Sequence, residues 1–320
     1  MAIVALQPKP WLLGAGVLLD LLLGDPRYAA HPVRLIGGTL ARIEGVLRRV
    51  GMAGYVGGVA LFVVLSLLWV GLPSAVVAFL PKTAGAGVAI FLIYSLVALR
   101  DLLGHAWKVE IAAGHGDLQA ARAAVATLVG RETSTMDLAA CRRAAIESIG
   151  ENLTDGFVAP VFWYAIAGLP GILLFKVVST MDSMVGYKTP RYLRFGWLGA
   201  RADDAMNWLP ARLSWLLLSG VAGVLPGYSG QKGLRIGWRQ HGIVPGPNSG
   251  WSEATTAGAI QRKLVGPIWA HGTLVTDVWL GEASDLPAGT GADLRRAAIL
   301  AAAAGLAFAA LSISVLAVVP

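Results

Sequence analysis

Residues 56–80, VGGVALFVVLSLLWVGLPSAVVAFL, carry no charged side chain. A helix rises 1.5 Å per residue, so a run of this length crosses the ~30 Å hydrocarbon core of a bilayer. A second such run lies at 297–319. Of the apolar segments, only these two comfortably reach the ~20 residues that a crossing needs.

Composition agrees. The chain has 320 residues, of which 56% are hydrophobic and only 14% charged. Soluble domains carry about 25% charged residues. A larger core cannot absorb the difference, because the buried fraction rises slowly with size. The 40 glycines suit close helix packing in lipid. The net charge of +7 is scattered and lacks a basic-aromatic stripe, which argues against nucleic acid as a partner. Basic residues flanking membrane helices orient them and touch anionic membrane lipid. Cys141 is the sole cysteine, so an internal disulfide and a cysteine cluster are excluded. On an Ala-rich helix it reads as a small packing residue. The apolar run Leu12–Leu23 leads into Gly24-Asp25-Pro26 rather than a small-residue cleavage site.

Shorter apolar segments fall at 11–23, 84–99, 157–179 and 211–226. Segment 11–23 holds Asp20, an acid at membrane depth that must be buried in the bundle or functional. Pro81-Lys82-Thr83 joins 56–80 to 84–99 as a helical hairpin. Segment 157–179 is interrupted by Gly168-Leu169-Pro170-Gly171, and 211–226 contains Gly220 and Gly223. Both read as re-entrant or kinked elements, which protein or a water-filled cavity must satisfy. Asp117 predicts the cap of a helix over 118–129 ended by Gly130; Ser134/Thr135 predicts a second helix ended by Gly150.

The expected fold is an all-α integral membrane protein. It is a polytopic helical bundle with broken or re-entrant helices and cytoplasmic helical loops. Residues 1–320 form a single membrane domain in which 100–155 and 227–296 are larger extramembrane segments. Lys and Arg crowd 24–54, 100–155, 180–212 and 230–263, which places those stretches on the cytoplasmic side of a multi-pass protein of the cell membrane.

Five polar clusters interrupt this apolar chain. They are Gly24-Asp25-Pro26 with His31-Pro32-Val33-Arg34; Glu147 with Ser148–Pro160 (SIGENLTDGFVAP); Thr180–Lys188; Arg201–Asn207 with Pro210–Leu213; and His241 with Pro247–Trp251 and Glu253. Each has a plainer reading. His31 before proline suits a turn, Asp182 and Lys188 a surface pair, and Asp203–Asp204 a helix start. Counted together the clusters hold eight of the 19 acids: Asp25, Glu147, Glu151, Asp155, Asp182, Asp203, Asp204 and Glu253. Several carboxylates in one site repel unless a cation shares it. Oxygen ligands from Asp, Glu and Asn suit Mg²⁺, which favours phosphate-bearing substrates. Arg34, Lys188, Arg201 and Arg212 suit phosphate or carboxylate. No Walker-type or Rossmann fingerprint occurs. The chemistry points to a membrane enzyme acting on a phosphorylated substrate with Mg²⁺.

The order GDP…HPVR, ESIGENLTDGFVAP, STMDSMVGYK, ARADDAMNWLPARL and PNSGW, from about Asp20 to Gly281, resembles the adenosylcobinamide-phosphate synthases of cobalamin biosynthesis, the CobD/CbiB family. Departures are mild. Ser179-Thr180-Met181-Asp182 stands where the family usually has Asn-Thr-Leu-Asp, and Gly246-Pro247-Asn248-Ser249-Gly250 where Ser-Pro-Asn-Ala-Gly is frequent.

The resemblance implies a carbon–nitrogen ligase. It joins the free propionate of adenosylcobyric acid to (R)-1-amino-2-propanol or its O-phosphate, with ATP as co-substrate and Mg²⁺ as cofactor. It implies other late cobalamin-pathway membrane enzymes as partners. Under it, Asp155, Asp182, Asp203 and Asp204 are expected to supply metal oxygens, Asp155 and Asp182 with catalytic roles. Arg34, Lys188, Arg201 and Arg212 hold phosphates. His31 or His241 takes the ammonium proton. Asn152, Asn207 and Asn248 meet the corrinoid's amide rim, and Tyr187 with Trp197, Trp208 and Trp251 packs on the macrocycle. Asp25 and Glu253 complete the substrate-binding set. A prenyl or phosphatidyl transferase would need Asp-rich repeats that the chain lacks in full, and a transporter would show two corresponding halves.

Overall fold

The computed structural model describes residues 5–24, 31–270 and 273–318. It is a helical membrane protein. Its helices are α1 (Pro10–Leu23), α2 (Pro32–Arg49), α3 (Tyr55–Ser66), α4 (Leu72–Phe79), α5 (Lys82–Leu96), α6 (Leu99–Gly114), α7 (Leu118–Val125), α8 (Leu138–Leu153), α9 (Ala159–Val185), α10 (Trp197–Val224), α11 (Gly230–Gln240), α12 (Ser249–Ile260) and α13 (Gly291–Val318). Strands β1 (Leu264–Ala270) and β2 (Thr273–Leu280) pair as an antiparallel hairpin, with Leu264 opposite Leu280. This hairpin departs from the all-helical expectation for 227–296. Its sequence, LVGPIWA and TLVTDVWL, carries the β-branched and aromatic residues that pleated pairs favour.

Four helical stretches among the described residues are long and apolar enough to cross a membrane: Tyr55–Phe79, Lys82–Gly114, Leu138–Val185 and Gly291–Val318. Two more appear than the apolar runs alone suggested, because helices continue where polarity implied ends. The helix of α8 does not stop at Gly150. It passes through a π-helical turn, Thr154–Val158, into α9. Gly150 lies inside the continuing helix and packs against α12: a Cβ there would meet Glu253 Cα and Thr256 Oγ1 at 3.4 Å, an ordinary contact distance. The cap of α8 is Asp137, whose side chain accepts the Ala140 N–H at 2.7 Å, rather than Ser134 or Thr135. Asp117 does cap α7, accepting the Ala120 N–H at 2.9 Å, although that helix ends at Val125.

The break foreseen at Gly168 is present. Gly168 has φ 63° and ψ −149°, and a Cβ there would lie 1.9 Å from the Leu6 carbonyl oxygen. Only glycine accepts both conditions. Segment 211–226, by contrast, belongs to one continuous helix that starts at Trp197 and carries Pro210 within it. Asp203, Asp204, Asn207 and Arg212 therefore ride on a single helix.

The chain divides into two compact units. The first comprises 1–98, 159–207 and 309–320. Its core packs Ile36 and Leu40 of α2, Leu61 and Leu65 of α3, and Val177, Met181 and Val185 of α9 around Phe195. Asp20 is fully buried on α1. The second comprises 99–158 and 208–308, and so contains both polar segments, 100–155 and 227–296. There α11 lies along α12, whose small side chains leave Gly250–Ile260 entirely buried. Cys141 is buried there too, as a packing residue.

Candidate functional site

In the first unit, the last turn of α9 carries Asp182, and α10 presents Asp203, Asp204 and Asn207. Spacing of four places Asn207 beside Asp203, and Asn207 Nδ2 donates to Asp203 Oδ2 at 3.0 Å. Asn207 is 2% exposed, and its Oδ1 has no hydrogen-bond partner among the described residues. Burial, then the Asp182 charge, pushes the Asp203 carboxyl up to about 7, although the Asn207 hydrogen bond pulls it down. Asp204 pairs with Arg201 at 3.5 Å on an exposed face, a pair worth little energetically.

The described residues hold no group of three or more His, Cys, Asp or Glu placed to share a metal ion. Mg²⁺ is commonly held by only one or two carboxylates, its other ligands being water and substrate phosphate. Crowded acids with an orphaned amide oxygen fit that donor set. Asp155, expected with the same ligands, belongs to the second unit.

Asp203 gives a pH prediction. An unfolded aspartate titrates near ~3.9. Between there and about 7 the folded protein keeps a proton that the unfolded chain has released. Stability therefore falls as pH rises through that window and levels off above it. Melting in detergent at pH 5 and 7.5 should show a drop in the wild type and a smaller one in Asp203→Asn. Equal drops would remove Asp203 as the cause.

Of the remaining first-unit candidates, His31 is a buried N-cap of α2, and Arg34 is exposed on that helix. Tyr187 and Lys188 are exposed after α9, with Tyr187 6.4 Å from the Tyr192 ring. Trp197 opens α10 and meets the Tyr55 ring edge-on at 5.8 Å. Asp25 lies outside the described residues.

In the second unit, the Arg212 guanidinium lies over the rings of Trp208 and Trp251, at 4.6 Å and 4.8 Å. It donates to Asn248 Oδ1 at 2.9 Å and to the Trp208 carbonyl at 2.8 Å. His241 stacks on Trp251 with centroids 3.8 Å apart. Its Nδ1 lies 2.9 Å from the Trp238 carbonyl oxygen. A carbonyl only accepts, so Nδ1 carries the proton and Nε2 of the neutral ring is left basic. Trp215 packs within 5.6 Å of Trp238 and 5.0 Å of Trp251. Trp208 and Trp238 stay 55% and 61% exposed, so this cation–aromatic cluster is open on one side. It gathers Arg212, His241 and Asn248, three candidates from two separate motifs. Trp215 and Trp238 were not legible as members, because neither lies in a polar cluster.

Asn152 turns back on its own helix, donating to the Ser148 carbonyl at 3.0 Å and to Ser148 Oγ at 3.1 Å. Asp155 sits in the π-helical turn, where Thr154 Oγ1 donates to Ser214 Oγ at 2.9 Å. Such turns recur at functional sites.

A cavity of ≈390 Å³ in the same unit is lined by Arg131, Glu147, Glu151 and Glu253 together with apolar side chains that include Val244 and Ile268. Arg131 donates to Glu147 Oε2 at 2.6 Å, and the Val265 N–H donates to Glu147 Oε1 at 3.0 Å. Val265 holds φ 70°, a strained value for a β-branched residue. Arg131 was missed from sequence: it is one basic residue among many, and only the fold brings Glu147 to it.

The geometry coincides with a clear relationship. Residues 13–301 match the family model described as CobD/Cbib protein. The chain is 42% identical over 275 residues to "Cobalamin biosynthesis protein CobD" of Photorhabdus laumondii subsp. laumondii, covering 84% of this chain and 86% of that protein. It is 39% identical over 273 residues to "Cobalamin biosynthesis protein CbiB" of Salmonella typhimurium, covering 83% and 85%. It is 40% identical over 282 residues to "Cobalamin biosynthesis protein CobD" of Pelobacter propionicus, covering 87% and 86%. No solved structure matches the chain. With nearly its whole length inside the family match and relatives of this identity over most of both chains, the protein belongs to the CobD/Cbib family.

Proposed function

We propose that this chain works in cobalamin biosynthesis as an amide-forming ligase. It joins the free propionate carboxylate of adenosylcobyric acid to (R)-1-amino-2-propanol or its O-phosphate, using ATP and Mg²⁺. The observation that carries the reading is the family match over residues 13–301. The relatives' names carry the pathway; the reaction is what the motif resemblance implies, and the site chemistry is compatible with it.

A carboxylate does not condense with an amine at neutral pH without activation. The economical route is attack of a carboxylate oxygen on the γ-phosphorus of ATP with loss of ADP, then attack of the amine on the acyl carbon with loss of phosphate. The first step brings two anions together, so positive charge must offset the repulsion. Mg²⁺, when bound, supplies part of that charge, and Asp182, Asp203 and Asp204 would hold it. Lys188 and Arg201, in the same unit as those acids, supply the rest. Arg212, fixed between two tryptophans, is preorganised for planar recognition of carboxylate or phosphate. The exposed faces of Trp208 and Trp238 give a large apolar macrocycle a surface to stack on. His241 Nε2 would take the ammonium proton. The active site faces the cytoplasm, where the basic segments would place it.

Purified protein in detergent should convert adenosylcobyric acid and the amine to product only with ATP and Mg²⁺ present. Detergent abolishes any gradient, so turnover there would also separate an enzyme from a transporter. Absence of product with both amine forms would overturn the reading.

A further inference from the structure

The cavity beside α12 holds three carboxylates and one arginine. Arg131 is engaged by Glu147. Glu253 is 8% exposed, lines the cavity, and has no hydrogen-bond or ion-pair partner among the described residues. Glu151 is exposed at the rim. A buried, unpartnered carboxylate is costly and calls for a cation. Burial, then the charges of Glu151 and Glu147, pushes the Glu253 carboxyl well above the usual carboxylate range, against the pull of Arg131. A bound cation would add to the pull of Arg131 and favour the ionised form.

The surroundings select the kind of cation. Among the described residues no three acids are placed to share a metal ion, and a hard cation held by fewer would need water or phosphate for its other ligands beside an apolar wall. Ile243, Val244, Val265, Ile268 and Val278 make most of the wall apolar, which suits a short alkyl body. At ≈390 Å³ the cavity lies at the small end of ligand pockets. A buried carboxylate also disfavours a phosphate at the same spot.

We propose that this cavity binds a small primary ammonium, its charge on Glu253 and Glu151 and its apolar body against the valine–isoleucine wall. Resting on the ligase reading, it is where the amine co-substrate is held by its ammonium end.

Calorimetric titration of the detergent-purified full chain tests this. 1-Amino-2-propanol and its O-phosphate serve as ligands, and 1,2-propanediol as the matched body without the ammonium. At least one amine should bind and the diol should not. Glu253→Gln should weaken amine binding at least tenfold. Glu151→Gln, at the exposed rim, should weaken it less while leaving the melting temperature unchanged, and it keeps the test open should the buried variant fold poorly. Equal binding of amine and diol, no amine binding at millimolar concentration, or wild-type binding by a folded variant would each overturn the proposal. Product formed by Glu253→Gln with an unaltered KM for the amine would overturn the cavity while leaving the ligase intact. Amine binding lost in Glu253→Gln, from a wild type that forms no product, would uphold the cavity and overturn the ligase.

Discussion

Replacing Arg131 by methionine should cost about 3 kcal/mol of stability, the scale of breaking a buried ion pair from one side. The pair is short, 2.6 Å from Arg131 Nη2 to Glu147 Oε2, and Glu147 is only 7% exposed. In the variant Glu147 keeps one neutral donor, the Val265 N–H. Glu253 loses its nearby positive charge as well, since Arg131 is what opposes the upward shift there. Methionine retains most of the stem, so packing loss contributes little. Chemical denaturation or thermal melting in detergent would read the change. Arg131→Met with Glu147→Gln should recover most of it, because the second substitution removes the stranded charge. A single variant that melts like wild type would show that the cavity's charge is balanced by other means.

Replacing Asp155 by asparagine should lower ATP- and Mg²⁺-dependent amide formation on the order of a hundredfold or more, with the melting temperature nearly unchanged. That loss is typical when one preorganised charged group is deleted from an active site. Asn is close to isosteric, so the π-helical turn at Thr154–Val158 should persist. The neighbouring Thr154–Ser214 hydrogen bond does not involve Asp155 and anchors the turn independently. The assay is conversion of cobyric acid with aminopropanol phosphate by purified protein. Wild-type turnover would remove Asp155 from the mechanism.

These two residues differ in how visible they are along the chain. Asp155 stands in a polar motif against an apolar segment, and that contrast marks it. Arg131 lies in a stretch rich in basic residues, and its importance comes from Glu147, sixteen positions on, and from Glu253 beyond that. Gly150 shows the same limit. A glycine late in a helix reads as a terminator, but here the helix continues through it and packs that face against α12, and no local pattern distinguishes the two cases. Gly168 was legible because the Gly-Leu-Pro-Gly run breaks helices whatever surrounds it. The cap at Asp117 was legible for a similar reason, while Asp137 displaced Ser134 and Thr135 because three residues within four positions could all have capped the helix.

The sequence by itself determined that this is a helical membrane protein and, through the order of its motifs, which family it resembles. Apolar length and motif order are properties of consecutive residues and need no partner. Only the tertiary structure decided that Asp182 crowds Asp203, that Trp251 packs on Arg212, and that Glu253 is buried with no ion-pair partner among the described residues. Desolvation and ion pairing depend on what the fold brings alongside a group, and those neighbours come from elsewhere in the chain.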